Sequence, residues 1–292
     1  MHSMNIVFRA DLSEFTTRKA LFWIISNPPF GGGLVSTADP LRWQLTVSYD
    51  PATESEPDFT EERCRGLVRT AVGQADLPVE IENVASWEQG VGVAARYRAG
   101  RIFLAGDSAH TWPPAGALGA NTGVQDAHNL AWKLAFVLKG WACADLLDSY
   151  ESERRPIATT LAPAIVRHQQ ARMSGAAEPE DQLDPKESLV SQHYPTASRA
   201  PHLWLDRDGE RIGVHDLFHD TFVLLSQSDG WDVAAQDLPV RVYRVGTDLI
   251  DLESQRNARY GDATVLVRPD GYIAWRSSDP ASANALKAAL PR

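Results

Sequence analysis

The chain has 292 residues, 43% of them hydrophobic and 23% charged, and a formal net charge of −10. That is the composition of a soluble globular protein, and the acidic balance argues against nucleic acid or an anionic membrane surface as the main partner. No apolar run approaches the roughly 20 residues of a bilayer span, and no charged-then-apolar leader opens the chain; a cytoplasmic setting is expected, with Cys64 and Cys143 as separate thiols lacking metal-ligand or CxxC spacing.

In chain order, Asn5 to Leu12, Leu21 to Ser26, Leu34 to Thr37 and Trp43 to Tyr49 read as strands of an antiparallel meander. Gly31-Gly32-Gly33 and Asp39-Pro40 are expected to supply turns. Glu61 to Val72 has helical periodicity with Asp58 or Thr60 as its cap. Val79 to Val84 begins another strand, and Trp87 follows in a less regular stretch. Arg101 to Ala105 (RIFLA) is short, nearly all apolar and ends in Gly106-Asp107, the reading of a strand buried on both faces. The next helix is expected from Asn121 or Thr122, with Thr122 and Gln125 at capping-box spacing. Val124, Ala127, Ala131, Leu134, Ala135 and Leu138 would form its apolar face, and Gly140 would stop it. A second helix, Leu146 to Met173, carries the charged run YESERR, read as a solvated face, and Pro156, expected to kink or divide it.

The polar, acidic stretch from Gly175 to Ser198 reads as a linker. After it, Phe222 to Ser226, Val240 to Val245, Thr264 to Val267 and Tyr272 to Trp275 are predicted strands. Asp270-Gly271 is a hairpin turn, and Ala281 to Leu290 is a helix. The class is therefore α/β (α+β), in three parts: residues 1–174, a linker at 175–200, and a small α/β unit at 201–292.

Gly100 to Gly140 carries the chemistry. Asp107 ends a strand, where a carboxylate can accept hydrogen bonds from sugar-like hydroxyls. Pro113 and Pro114 stiffen the loop, Gly116 and Gly119 allow close backbone approach, and the following helix N-terminus offers unpaired N–H groups to an anion or a polarised carbonyl. Spacing alone fits equally a capped strand–loop–helix connection with no ligand. Other candidates are weaker. His110 is placed either as an acid or base or as a hydrogen-bond partner of its own loop. Arg9 and Asp11 share a sheet face, as functional groups or as a solvated pair. His215 and His219 have i, i+4 spacing but no third metal ligand, so no metal site is expected.

The segment GRIFLAGDSAHTWPPAGALGANTGVQDAHNLAWKL resembles the second flavin-binding motif of the class A flavoprotein monooxygenases, the para-hydroxybenzoate hydroxylase-like group with its phenol and polyketide hydroxylases. LLDSYESERRPIA resembles that family's next helix, MNIVFRADLS and the strands after it resemble its substrate-domain sheet, and the last unit resembles its thioredoxin-like C-terminal domain, here without CxxC. The resemblance implies FAD as cofactor and NAD(P)H as reductant. It implies that Asp107 meets the ribityl or pyrophosphate side of FAD, that Pro114 packs beside the isoalloxazine, and that Gly116, Gly119, Ala120 and Asn121 face the flavin. It also implies an aromatic or polyketide-like substrate in a cavity walled by Trp23, Trp43 and Trp87. Ala117 departs from a glycine common in relatives, and Ser108 is a milder change.

Family members open with a strand, GxGxxG and a helix that hold the ADP half of FAD; this sequence contains no GxGxxG. The expectation is a truncated flavin-hydroxylase fold, incomplete for FAD on its own, in which RIFLA lacks neighbours and exposes apolar surface. Three outcomes follow from this: a separate chain carrying the GxGxxG half, a homodimer or repacked remnant that covers itself, or a nonproductive fragment. Three functions follow from this reading: an FAD-dependent aromatic or polyketide hydroxylase; a cofactor-independent cyclase, isomerase or dehydratase reusing the cavity; and a non-catalytic binding or assembly subunit.

Overall fold

Alternating apolar residues at the start of the chain build a sheet with one buried face. In the computed structural model, which describes residues 2–16, 18, 20–27, 30–88, 90–113, 118–174 and 198–291, these strands are β1 (His2–Arg9), β2 (Phe22–Asn27), β3 (Phe30–Ser36), β4 (Arg42–Tyr49) and, after helix α1 (Glu61–Val72), β5 (Glu80–Glu88). They form an antiparallel sheet in the order β2-β3-β4-β1-β5. Met4, Ile6 and Phe8 of β1 and Trp43, Leu45 and Val47 of β4 share one face, and Cys64 and Val68 of α1 bury against it. Thr60 caps α1 by accepting from the Arg63 N–H, and Gly73, at φ +80°, ends it in the left-handed conformation that glycine favours.

Gly31-Gly32-Gly33 is not a turn but part of β3. A Cβ on Gly33 would come within 2.6 Å of the Phe22 ring, so the bare backbone there admits an aromatic side chain from the neighbouring strand. Trp87 lies inside β5, which runs longer than its periodicity suggests.

The chain folds into two compact units, residues 1–90 and 91–292. In the second, β6 (Gly92–Val93), β7 (Arg98–Ala99), β8 (Ile102–Phe103) and β9 (His110–Thr111) make two small antiparallel pairs, β6 with β9 and β7 with β8. RIFLA is therefore not a strand buried on both faces. Only Ile102 and Phe103 are in strand, paired on one edge, and Ile102 is 69% exposed.

Helix α2 (Leu118–Leu138) and helix α3 (Asp148–Ser174) follow. Gly140, at φ +71°, lies just past the end of α2. The described part of α2 already begins at Leu118, which places Thr122 inside the helix rather than at its cap. Its buried positions are Leu118, Thr122, Asp126, Asn129, Trp132, Lys133 and Phe136, whereas Val124 and Leu138, expected in the apolar face, are 69% and 84% exposed. The buried stripe is thus largely polar and turned away from the predicted one. α3 runs through both Pro156 and Pro163; burial of Ile157, Ala158, Leu161 and Ile165 holds it together where the proline nitrogens remove hydrogen bonds.

The C-terminal part contains, in chain order, β10 (Trp204–Arg207), β11 (Glu210–Gly213), β12 (Phe222–Ser226), a short helix Trp231–Ala234, β13 (Val240–Arg244), β14 (Ile250–Asp251), a short helix Arg256–Tyr260, β15 (Thr264–Val267), β16 (Ile273–Ser277) and a helix Ala283–Ala289. β12 pairs in parallel with β13 and antiparallel with β15, giving the order β13-β12-β15-β16. A parallel strand–helix–strand followed by a hairpin is the expected thioredoxin-like arrangement. Both faces of β12 are covered. Val223 and Leu225 join one core with Leu205 and Val265, while Phe222 and Leu224 meet Trp132 and Phe136 of α2. β10 and β11, absent from the sequence reading, are joined through Asp208 and Gly209, both at positive φ, a two-residue Asp-Gly hairpin turn.

Candidate functional site

The candidate loop begins where β8 ends. Gly106 sits at φ +57° and opens a single helical turn, Gly106–Ser108. The Ser108 hydroxyl donates to the Ala105 carbonyl at 2.7 Å and accepts from its N–H at 3.1 Å, which locks the turn from below. Asp107, between them, is exposed. The turn lies on the backbone of α2: a Cβ on Gly123 would come within 3.1 Å of the Gly106 Cα. Glycine at both positions is what lets the loop and the helix approach so closely.

A buried polar cluster fixes this approach. Asp126 of α2 is fully buried, His110 is 2% exposed and Arg154 of α3 is 1% exposed. The Asp126 carboxylate accepts from the Gly106 N–H at 3.3 Å, from His110 Nε2 at 2.8 Å and from Arg154 Nε at 2.7 Å. Burial alone would raise the Asp126 pKa; the His110 hydrogen bond and the Arg154 charge outweigh it and hold the carboxyl below its ordinary value. It is an anion, so His110 Nε2 is the donor. One carboxylate therefore ties the loop backbone, the loop histidine and α3 together. His110 also stacks on Trp112, with centroids 4.5 Å apart and planes at 12°. The Trp112 indole nitrogen lies 3.4 Å from where a Cβ on Gly119 would be, an ordinary packing distance.

Gly119, Ala120 and Asn121 fall in the first turn of the described helix, with Ala120 and Asn121 at the surface. Pro114 and Gly116, assigned beside the flavin by resemblance, lie outside the described residues, as does Ala117. An exposed carboxylate, a glycine-lined rim and a helix first turn thus occur together, and this donor and acceptor set fits the hydroxyl chain and electron-rich edge of a flavin.

In the first unit the three tryptophans are divided between two faces of the sheet. Trp43 is buried in the core against α1, and Trp23 packs edge-on against it at 5.6 Å. Trp87 pairs across from Ser3 on the opposite face, where its Nε1 donates to Asn5 Oδ1 at 3.0 Å. Thr46 donates to the same Asn5 oxygen at 2.7 Å. Gln44 and the exposed rings and chains of Phe22 and Ile24 extend this second face. Arg9 is paired with Asp39 at 2.8 Å and Glu82 at 3.5 Å. Asp11 accepts from the Ser13 N–H at 3.0 Å, which holds its carboxyl below the usual range. Both line a cleft of about 500 Å³ with Leu41, Pro78, Val79 and Glu80.

Asp126, Asn129, Lys133, Glu153 and Arg154 were not legible as site residues. Glu153 and Arg154 sit in the run read as a solvated face, yet Arg154 is buried and Glu153 largely so. The available signal was the i, i+3, i+7 spacing of Asp126, Asn129 and Lys133 on one helix, opposite a second helix with adjacent Glu and Arg.

The chain is similar to known proteins along most of its length. The FAD binding domain family matches residues 1–164, and the aromatic-ring hydroxylase C-terminal family matches residues 193–292. A putative polyketide hydroxylase of Streptomyces halstedii is 40% identical over 97% of this chain and 60% of its own length. The tetracenomycin A2 monooxygenase-dioxygenase of Streptomyces glaucescens is 39% identical over 100% of this chain and 60% of its own. Aklavinone-11 hydroxylase, solved in a ternary complex with FAD and aklavinone, superposes with a TM-score of 0.85 at 34% identity, covering 99% of this chain and 61% of that one. The chain thus spans about 60% of the length of the curated relatives it matches. With family models matched over residues 1–164 and 193–292 and the likeness to aklavinone-11 hydroxylase running over nearly the whole chain, the chain belongs to the FAD binding domain family of class A flavoprotein monooxygenases.

Proposed function

We propose that this chain carries the flavin-side loop and the substrate sheet of an FAD-dependent hydroxylase that acts on aromatic rings of the polyketide type. The observation that carries this reading is the exposed Asp107 turn, set against the first turns of α2 by the buried Asp126 carboxylate. In it, Asp107 accepts hydrogen bonds from the ribityl hydroxyls, and the first-turn N–H groups of Gly119, Ala120 and Asn121 face the electron-rich edge of the ring. Bound FAD, reduced by NAD(P)H, supplies the oxygen chemistry; the chain's residues bind, orient and exclude water.

His110 acts here as a positioning residue, because its imidazole is buried and committed to Asp126. The sheet face of Asn5, Gln44, Thr46 and Trp87 is the surface we assign to an aromatic ring, as it offers an indole with hydrogen-bonding groups beside it. Arg9 and Asp11 are assigned to the rim of their own cleft. Residues 1–174 would form the cofactor and substrate part, 175–200 the linker and 201–292 the C-terminal domain, in a cytoplasmic enzyme. Solved relatives with FAD and substrate, one of them aklavinone-11 hydroxylase, favour flavin chemistry over a cofactor-free cyclase or a binding subunit.

The test is turnover of an aromatic polyketide such as aklavinone with FAD, NAD(P)H and isotopically labelled O2, by the chain together with a polypeptide that supplies the GxGxxG half. The expected product carries one labelled oxygen on the ring, and Asp107→Ala abolishes it while leaving the fold intact. Labelled product formed without flavin, or unlabelled product, contradicts the reading.

A further inference from the structure

Asp126, Asn129 and Lys133 recur along α2 at helical spacing, and none is more than 3% exposed. Facing them on α3 are two adjacent residues with different partners. Arg154 reaches Asp126 at 2.7 Å and the Thr122 carbonyl at 3.3 Å. Glu153 takes the Asn129 amide at 2.7 Å, Lys133 Nζ at 2.8 Å and both terminal nitrogens of Arg268, at 3.0 and 2.9 Å. Arg268 belongs to the turn between β15 and β16, and it also donates through Nε, at 2.9 Å, to Asp270 of that turn. Asp270 in turn accepts from Asn129 at 3.0 Å. Gly271, at φ +81°, closes the turn by donating to the Arg268 carbonyl at 2.9 Å. Two polar groups therefore lie along the same pair of helices: Asp126 and Arg154 hold the Gly106–Thr111 loop, Glu153 and Asn129 hold the Arg268–Gly271 turn, and they meet where Glu153 and Arg154 are adjacent in α3.

We propose that the Arg268–Gly271 turn is a positioning element for the Gly106–Thr111 loop, acting through the buried polar stripe of α2 and the Glu153–Arg154 pair of α3. A charge buried away from water has to remain paired, so these groups cannot rearrange one at a time. With an amide at position 270 the charge and one of the two acceptor oxygens are lost, so Asn129 and Arg268 draw more heavily on Glu153. Glu153 then shifts, and with it its chain neighbour Arg154, the partner of Asp126. Asp126 in turn holds the Gly106 N–H and His110. Packed networks of this kind carry energetic coupling between distant groups. The charges are committed: burial would raise the Glu153 pKa, but Arg268 and Lys133 hold it at about 2. The rival account is that Trp132 and Phe136 alone seat α2 on the C-terminal sheet and the stripe transmits nothing.

The experiment compares wild type, Asp270→Asn, Arg268→Lys and a control, Val265→Ala, which sits in the C-terminal core apart from α2. Amide hydrogen exchange is followed at Gly106–Thr111, and the His110 ring resonances by NMR, with no flavin present. Asp270→Asn is expected to speed exchange of the Gly106 and His110 amides roughly tenfold and to move the His110 resonances. Val265→Ala, compared at equal loss of overall stability, should do neither. Arg268→Lys keeps the charge but breaks the fork to Glu153 and Asp270, and it provides the same readout if Asp270→Asn does not fold. Faster exchange confined to residues 268–272, with His110 unmoved, would overturn the proposal.

Discussion

The Asp126 carboxylate meets the His110 imidazole at 2.8 Å, and neither residue is more than 2% exposed. The same carboxylate holds the Arg154 guanidinium, so its removal takes a close anion away from a buried cation. Asp126→Ala is expected to cost about 3–5 kcal/mol of stability, and Asp126→Asn less, since an amide oxygen still accepts. Chemical denaturation of the two variants checks this. A loss below about 1 kcal/mol for Asp126→Ala would mean that the cluster does not hold the loop.

Two glycines give opposite expectations from the same substitution. Gly123→Ala puts a methyl 3.1 Å from the Gly106 backbone, where nothing flexible can move aside. A loss of about 1–3 kcal/mol is expected. Gly66 lies in α1 with nothing within 4 Å of an added Cβ. Gly66→Ala should stabilise by about 0.5–1 kcal/mol, because alanine loses less backbone freedom on helix formation. Thermal unfolding of both variants decides, and equal effects would contradict the loop–helix packing.

The tryptophans on the two sheet faces should separate stability from binding. Trp43→Ala empties a core site and is expected to cost about 3–5 kcal/mol. Trp87→Ala loses one hydrogen bond to Asn5 and partly exposed surface, about 1 kcal/mol. It should weaken binding of an aromatic polyketide with little effect on unfolding. Calorimetric titration with such a ligand, set beside the unfolding data, tests the assignment of the Trp87 face. An unchanged affinity in Trp87→Ala would remove it.

Acid stability should depend on Glu153. Its folded-state pKa, about 2, lies below the ordinary 4.5, because the Arg268 and Lys133 charges overcome the effect of burial. The contribution is therefore complete above pH 4.5 and is lost as the pH falls towards 2, up to about 3 kcal/mol. Lys133 lies on the other side: burial pulls it from 10.5 to about 8, against the pull of Glu153. The unfolded chain then binds more protons between those values, and stability rises with pH across that window. Urea titrations across pH should show the acid slope in wild type and its reduction in Glu153→Gln. An unchanged acid slope would place the titrating group elsewhere.

The sequence exposed the local parts of this structure and concealed the paired ones. The Gly106-Asp107 turn and the presence of a helix after it could be read because glycine positions are local signals, whereas the strand before them shrinks to Ile102–Phe103. Helix α1 was legible to the residue, through its periodicity and Thr60 cap. The buried face of α2 was not. Apolar periodicity pointed to Val124 and Leu138, whereas Asp126, Asn129 and Lys133 are inside because Glu153, Arg154, Arg268 and Asp270 arrive from elsewhere to pair them. Such burial has no signature within one helix. Gly33 reads as a turn by propensity, and only the Phe22 ring beside it explains a glycine in mid-strand.

The central claim, that the Asp107 turn and the first turns of α2 hold a flavin, is tested most directly by titrating the purified chain with FAD and following flavin absorbance and fluorescence, in wild type and Asp107→Ala. Because this sequence carries no GxGxxG half of the site, the account expects weak but saturable quenching of flavin fluorescence in wild type, with affinity lowered a further roughly tenfold in Asp107→Ala, the loss of a hydrogen-bonded carboxylate. Binding that Asp107→Ala leaves untouched, or a fluorescence unchanged up to the highest FAD concentration, would contradict it.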